Sequence, residues 1–123
     1  MAKILVAEDD KFLANAYRVK LEREGYEVKV VFDGNELINS LSEFPPDLII
    51  LDLIMPNKDG FSTLRELRSD DSPFKNTPIL VSSNLGQSED IVKVTKLGAT
   101  DYIVKTDLSM KNLAEKVKRL LTP

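Results

Sequence analysis

The residues of this 123-residue chain that could do chemistry sit directly after its short aliphatic runs. Glu8, Asp9 and Asp10 follow Ile4-Leu5-Val6-Ala7, and Asp52 follows Leu48-Ile49-Ile50-Leu51. Ser82 and Ser83 follow Pro78-Ile79-Leu80-Val81, and Lys105 follows Tyr102-Ile103-Val104. Carboxylates gathered within a few ångströms repel one another and raise one another's pKa unless a cation neutralises them. The chain has neither histidine nor cysteine, so any ligand set is all oxygen. Such a set suits Mg²⁺ or Mn²⁺ and not zinc, and few protein ligands leave room for water and phosphate oxygens. Lys105 could pair with a carboxylate or a phosphoryl oxygen, and Ser83 could donate a hydrogen bond to the same oxygen. The chemistry this set suits is phosphoryl transfer to a carboxylate, where positioning and charge neutralisation do most of the work.

For these residues to meet, the aliphatic runs must be neighbouring strands ending at one edge. Each run is short and most are β-branched, and each is followed by a longer amphipathic stretch. A helix is expected from about Lys11 to Glu24, with Leu13, Ala16, Tyr17 and Leu21 on one face and Gly25 as its stop. Val28, Val30 and Phe32 alternate with polar residues as in a strand near a sheet edge, with a turn at Phe32-Asp33-Gly34. A short helix carries Leu37, Ile38 and Leu41 and is closed by Pro45-Pro46. Leu48 to Leu51 reads as a central strand buried on both faces. Phe61, Leu64 and Leu67 mark a third helix, residues 69–77 a loop, and Pro78 to Val81 a fourth strand. Ile91, Val94 and Leu97 mark a fourth helix ended by Gly98. Tyr102 to Val104 is a fifth strand, and Leu113, Val117, Leu120 and Leu121 line the last helix. Five strand-helix units with no linker or internal repeat predict an α/β fold, a parallel sheet covered by helices on both faces. Ligands in such sheets bind beyond the carboxyl ends of the strands. Four of the five strands deliver an ionisable or hydroxyl group there.

The bulk composition agrees with one ordinary globular domain spanning 1–123, with 42% hydrophobic and 30% charged residues. The net charge of −3 gives no global case for direct nucleic-acid or membrane binding. No signal-peptide pattern or membrane-length apolar run is present, so the expected compartment is the cytoplasm. The absence of histidine excludes His-based catalysis and an internal phosphohistidine relay.

At these residues the chain resembles the receiver domains of two-component response regulators. The matching elements are Glu8-Asp9, Asp52 followed by Met55-Pro56 and Asp59-Gly60, a hydroxyl after strand four, Tyr102, and Lys105. The resemblance covers essentially the whole chain. It implies a flavodoxin-like (βα)5 three-layer sandwich with strand order 2-1-3-4-5, which brings Asp9 and Asp52 to one metal. It further implies that Asp52 is the phosphoacceptor, and that Asp9, Asp52 and the backbone carbonyl of Ile54 ligate Mg²⁺ (or Mn²⁺), Glu8 acting largely through water. Ser83 resembles the switch hydroxyl, Tyr102 the aromatic that reports it, and Lys105 the lysine that contacts a phosphoryl oxygen. Ser83 is preferred to Ser82 because the family hydroxyl lies five residues after the proline opening strand four, here Pro78. The implied partners are a sensor histidine kinase or histidine phosphotransfer protein, and a downstream protein target or fused output domain. The face around strand five is the expected output surface. Such a protein is not an enzyme, since it catalyses only its own phosphorylation and dephosphorylation. The chain ends two residues after Leu121, as either a stand-alone regulator or a receiver cut from a longer protein would.

Three positions depart from the family pattern: Asn84 after the hydroxyl, Thr106 in place of a proline after Lys105, and a loop before strand four about one residue longer. A cis bond without that proline would cost about 2.5–4 kcal/mol, so a trans bond and an altered loop are expected. Some polar residues have plain structural readings. Asp10 is expected to start the first helix, and Asp59-Gly60 to make a turn and start the third. Ile54 and Leu85 flank the approach of water in receivers; both are apolar here, which predicts a long-lived phosphorylated state. Rival functions fit less well. Haloacid-dehalogenase-like enzymes place a second aspartate where this chain has Ile54. A flavin-binding module would want a hydroxyl- and glycine-rich loop where Glu8-Asp9-Asp10 stands. A degenerate receiver would have lost an acidic residue or the lysine.

Overall fold

The computed structural model describes residues 1–84, 88–107 and 109–122. Strands and helices alternate: β1 (Lys3–Ala7), α1 (Lys11–Arg23), β2 (Glu27–Val31), α2 (Gly34–Ser40), β3 (Leu48–Leu51) and α3 (Gly60–Leu67). Then come β4 (Ile79–Ser83), α4 (Ser88–Lys96), β5 (Asp101–Val104), a 3-10 turn (Lys105–Asp107) and α5 (Met110–Leu121). All strands pair in parallel in the order β2-β1-β3-β4-β5. This is the expected doubly wound sheet, with β1 and β3 side by side.

The pleat sorts the side chains into two cores, because successive residues of a strand face opposite sides. Leu5, Ala7, Ile49, Leu51, Ile79 and Val81 pack with Leu37 of α2, Leu64 and Leu67 of α3 and Val94 of α4. Ile4, Val6, Leu48, Ile50, Leu80 and Ile103 pack with Tyr17 and Leu21 of α1 and Leu113 and Val117 of α5. Each fully buried aliphatic side chain contributes on the order of 1.5–3 kcal/mol. Every residue of β3 is buried, as its apolar sequence predicts for a strand covered on both faces. β2, at the edge, buries only Val31.

Local chemistry sets the ends. Asp10, Asp33, Asp59 and Ser109 cap α1, α2, α3 and α5, their side chains accepting from the amides of Leu13, Glu36, Ser62 and Asn112. Asp10 therefore has the structural role expected of it. Gly25 and Gly98 follow α1 and α4 with φ of 96° and 106°, the left-handed region that glycine enters without a Cβ clash.

Several boundaries differ from the periodicity. Phe32 lies beyond β2 because its amide donates to the Glu36 carboxylate at 2.7 Å, tying it to α2 instead of the ladder. α2 ends at Ser40, whose hydroxyl donates back to the Glu36 carbonyl at 2.7 Å, before Leu41 and well before Pro45. β4 extends through Ser82 and Ser83, which pair with Ile103 and Val104 of β5. Leu97 falls just outside α4.

Candidate functional site

β1 and β3 are aligned so that Ala7 lies beside Leu51, which sets Glu8 and Asp52 next to each other just past the strand ends. The Asp52 amide continues the ladder by donating to the Ala7 carbonyl at 3.0 Å, and the Glu8 amide donates to Val31 at 3.0 Å. Glu8 and Asp52 are buried, with 1% and 4% of their surface exposed, whereas Asp9 is exposed. Glu8, Asp52, Ser82 and Lys105 each stand two residues beyond a strand residue of the α1/α5 core, namely Val6, Ile50, Leu80 and Ile103.

Lys105 reaches both buried carboxylates. Its Nζ lies 2.6 Å from Glu8 Oε1 and 3.0 Å from Asp52 Oδ2. Glu8 Oε2 accepts from the Asp10 amide at 3.1 Å, and Asp52 Oδ1 accepts a long 3.4 Å bond from the Ile54 amide. Oε1 of Glu8 is buried and makes no hydrogen bond; its ammonium neighbour is an ion-pair contact outside hydrogen-bonding geometry. Burial pushes the Glu8 carboxyl up to about 7, and the Asp52 charge adds to this against the pull of Lys105 and the Asp10 amide. Burial alone would lower the Lys105 ammonium, but the two carboxylates outweigh it and hold it above its ordinary value.

A divalent cation fits this arrangement. Glu8, Asp9 and Asp52 each offer a carboxylate oxygen, all within 4.8 Å of one another. Three carboxyl groups gather here, and the one ammonium pairs with only two of them, Glu8 and Asp52. The all-oxygen donors match the hard-cation preference expected of the sequence.

The two serines of β4 point to opposite faces. Ser83 hydrogen-bonds Tyr102, whose phenol is raised by burial and drawn back by that bond. Tyr102 packs against the α2/α3/α4 core. Ser82 instead meets the Tyr17 hydroxyl at 2.6 Å on the α1/α5 side. Ile54 is 59% exposed beside Asp52, and Asn84 is exposed. Leu85 lies outside the described residues. Every peptide bond among the described residues is trans, including the one between Lys105 and Thr106, and Lys105 to Asp107 form the 3-10 turn.

Three supports of the site escaped the sequence reading. Tyr17 passed for an ordinary core residue, although Ser82, polar at an inward strand position, signalled the need for a buried partner. Gly60 comes so close to the chain just past β3 that an added Cβ would lie 2.2 Å from the Asp52 carbonyl oxygen. Asn57, at φ 65°, donates from Nδ2 to Asp33 at 2.7 Å, and the Gly34 amide donates to the Lys58 carbonyl at 3.0 Å. These bonds latch the loop after β3 onto the start of α2. Among the described residues no helix is long and apolar enough to cross a membrane.

A family model described as the response regulator receiver domain matches residues 4–118. Among solved structures, the receiver domain of the Francisella response regulator 1452 is 35% identical with a TM-score of 0.89, covering 98% of this chain and 97% of that one. The signal receiver domain of a signal transduction histidine kinase from Syntrophus aciditrophicus is also 35% identical, with a TM-score of 0.88 over 99% of this chain and 91% of that one. The chemotaxis response regulator CheY4 of Vibrio cholerae is 30% identical, with a TM-score of 0.89 over 98% of both chains.

Proposed function

Since the chain belongs to the response regulator receiver domain family, we propose that it accepts a phosphoryl group on Asp52 in a Mg²⁺-dependent reaction and thereby switches a protein partner. The observation that carries this reading is the convergence of Glu8, Asp9 and Asp52 on one point faced by the Lys105 ammonium. Asp9, Asp52 and the Ile54 carbonyl, with Glu8 through water, would hold the cation. When bound, the cation neutralises the carboxylates and the phosphoryl oxygens in flight.

The chain's own residues supply the rest. An Asp52 carboxylate oxygen forms the new bond to phosphorus as the donor's P–N or P–O bond breaks, and the donor's imidazole or carboxylate leaves with the bonding electrons. Lys105, already 3.0 Å from Asp52 Oδ2, turns from that oxygen to a phosphoryl oxygen. Ser83 donates to another, loosening its bond to Tyr102 and freeing the ring to move on the β5 face. The phosphoryl donor is a sensor histidine kinase or histidine phosphotransfer protein in the cytoplasm, and the receiver of the signal is a downstream protein or a fused output domain. The chain acts on no substrate beyond its own Asp52.

Intact mass after incubation with acetyl phosphate tests the reading. One phosphoryl group should be gained with Mg²⁺, none with chelator, and none in Asp52→Ala. Equal labelling of Asp52→Ala, or labelling indifferent to chelator, would overturn it.

A further inference from the structure

We propose that the Tyr17–Ser82 hydrogen bond makes α1 a second reporter of the state of Asp52, on the face of the sheet opposite Ser83 and Tyr102. The inference rests on the phosphoryl-accepting role proposed for Asp52 and goes beyond it by naming a second route for the signal.

The pair is built to transmit displacement. Tyr17 and Ser82 are 0% and 1% exposed, and their hydroxyls are 2.6 Å apart across 65 positions of sequence. Parting them would leave two buried hydroxyls unpaired, so the helix follows the strand instead of separating from it. Ser82 and Ser83 are consecutive residues of β4 whose side chains leave the strand on opposite faces. The peptide plane between them is rigid, so drawing Ser83 towards a phosphoryl group tilts the backbone that carries Ser82. Strand β4 therefore moves two reporters at once, Tyr102 on one face and Tyr17 on the other.

Tyr17 also lies in the field of the site itself, where Glu8, Lys105 and Asp52 each act on its phenol. A doubly charged phosphoryl group on Asp52 and a turned Lys105 change that field directly. The ring is fully buried in the α1/α5 core, so any displacement is passed to the helix and not absorbed by solvent. The outer side of α1 exposes Phe12 and Val19, at 92% and 38%, so movement of the helix rearranges apolar surface that a partner could read.

Backbone amide NMR with Mg²⁺ and beryllofluoride, the latter standing in for the phosphoryl group, tests the proposal. The wild type should show shift changes at Tyr17 to Leu21 as well as at Ser83 and Tyr102. In Tyr17→Phe, and in the smaller change Ser82→Ala should the first variant fold poorly, the changes at residues 18–21 should fall by at least half. Those at Tyr102 should persist. Unaltered shifts across α1 in both variants would show that charge proximity alone moves them and would overturn the coupling. So would a wild type whose Ser83 and Tyr102 respond while α1 is silent. A wild type with no response anywhere, Asp52 included, would instead overturn the phosphoryl-accepting role and the coupling with it.

Discussion

Replacing Gly60 by alanine should strike the site through the backbone without touching a polar group. Gly60 is the first residue of α3, and a Cβ there would lie 2.2 Å from the Asp52 carbonyl oxygen and 2.6 Å from Leu53 Cα. Ordinary van der Waals contact begins near 3.4 Å, so helix and strand must separate by about 1 Å. The Gly60 amide now donates to the Leu53 carbonyl at 2.9 Å; a shift of that size stretches the bond to about 4 Å, outside hydrogen-bonding range. Losing it costs about 1 kcal/mol. Overpacking against backbone that cannot rotate away costs roughly 1–3 kcal/mol more. The reduced freedom of the unfolded alanine chain returns about 0.5–1 kcal/mol. The net loss should be about 2 kcal/mol, or roughly 8 °C in Tm for a domain of this size. Urea unfolding of the metal-free protein measures it, as a lower midpoint at unchanged slope. Gly25→Ala is the comparison: its φ is +96° with no atom within 4 Å of the added Cβ, so it isolates backbone strain of about 1–2 kcal/mol. Because the displaced atoms belong to Asp52 and Leu53, Gly60→Ala should also slow labelling by acetyl phosphate, whereas Gly25→Ala should not. A Gly60→Ala protein within about 0.5 kcal/mol of wild type would refute the claim that close contact of α3 with the segment just past β3 sets the position of Asp52.

Lys105→Met should destabilise the metal-free protein by about 3 kcal/mol, because it leaves the buried Glu8 and Asp52 carboxylates without their counter-charge. Mg²⁺ should restore more stability to the variant than it adds to the wild type, and equal Mg²⁺ dependence of the two urea midpoints would contradict this. Tyr17→Phe and Ser82→Ala should each cost about 1 kcal/mol, and the double variant should cost less than the two combined, read from urea midpoints as a double-mutant cycle. The Tyr17 phenol is pushed up to about 12 by burial from an ordinary 10.0, so the folded state holds its proton when the unfolded state has lost it. Stability from this group is complete below pH 10 and declines as pH rises from 10 towards 12, and the fall should be shallower in Tyr17→Phe. Ile54→Asn should shorten the lifetime of the phosphorylated protein several-fold, because an exposed amide beside Asp52 can orient the attacking water that isoleucine cannot; decay of the phosphorylated mass no faster than wild type would count against a shielding role.

The strands and their parallel sense were legible because the relevant signals are local, whereas their order was implied by the resemblance to receiver domains. A run such as Leu48 to Leu51, with no polar position, has nowhere to go but the middle of a sheet covered on both faces, and its neighbours inherit the parallel order. The placing of Glu8, Asp9, Asp52 and Lys105 past strand ends followed from the same runs, since in a parallel sheet all such ends share one edge. Helix caps at Asp10 and Asp59 were legible for the same reason: side chain and amide are three residues apart. Boundaries at Phe32 and Ser40 were not, because periodicity does not say which backbone group a nearby side chain will bond.

What the chain order alone could not determine were the relations between residues far apart in sequence. Nothing near Ser82 names Tyr17 as its partner, 65 residues away; the pleat and the packing of α1 chose it. Spacing from Pro78 favoured Ser83 over Ser82, but only β4 turns one serine to each face, with Ser83 at Tyr102 and Ser82 at Tyr17. Gly60 reads as a turn residue, and only the approach of α3 to Asp52 and Leu53 makes its missing Cβ a requirement. Residue types determined which charges and hydroxyls reach the site edge, since that depends on period and polarity. Tertiary packing decided which of them are buried, which are paired and how strongly they interact, because desolvation and distance belong to the assembled fold and not to any one segment.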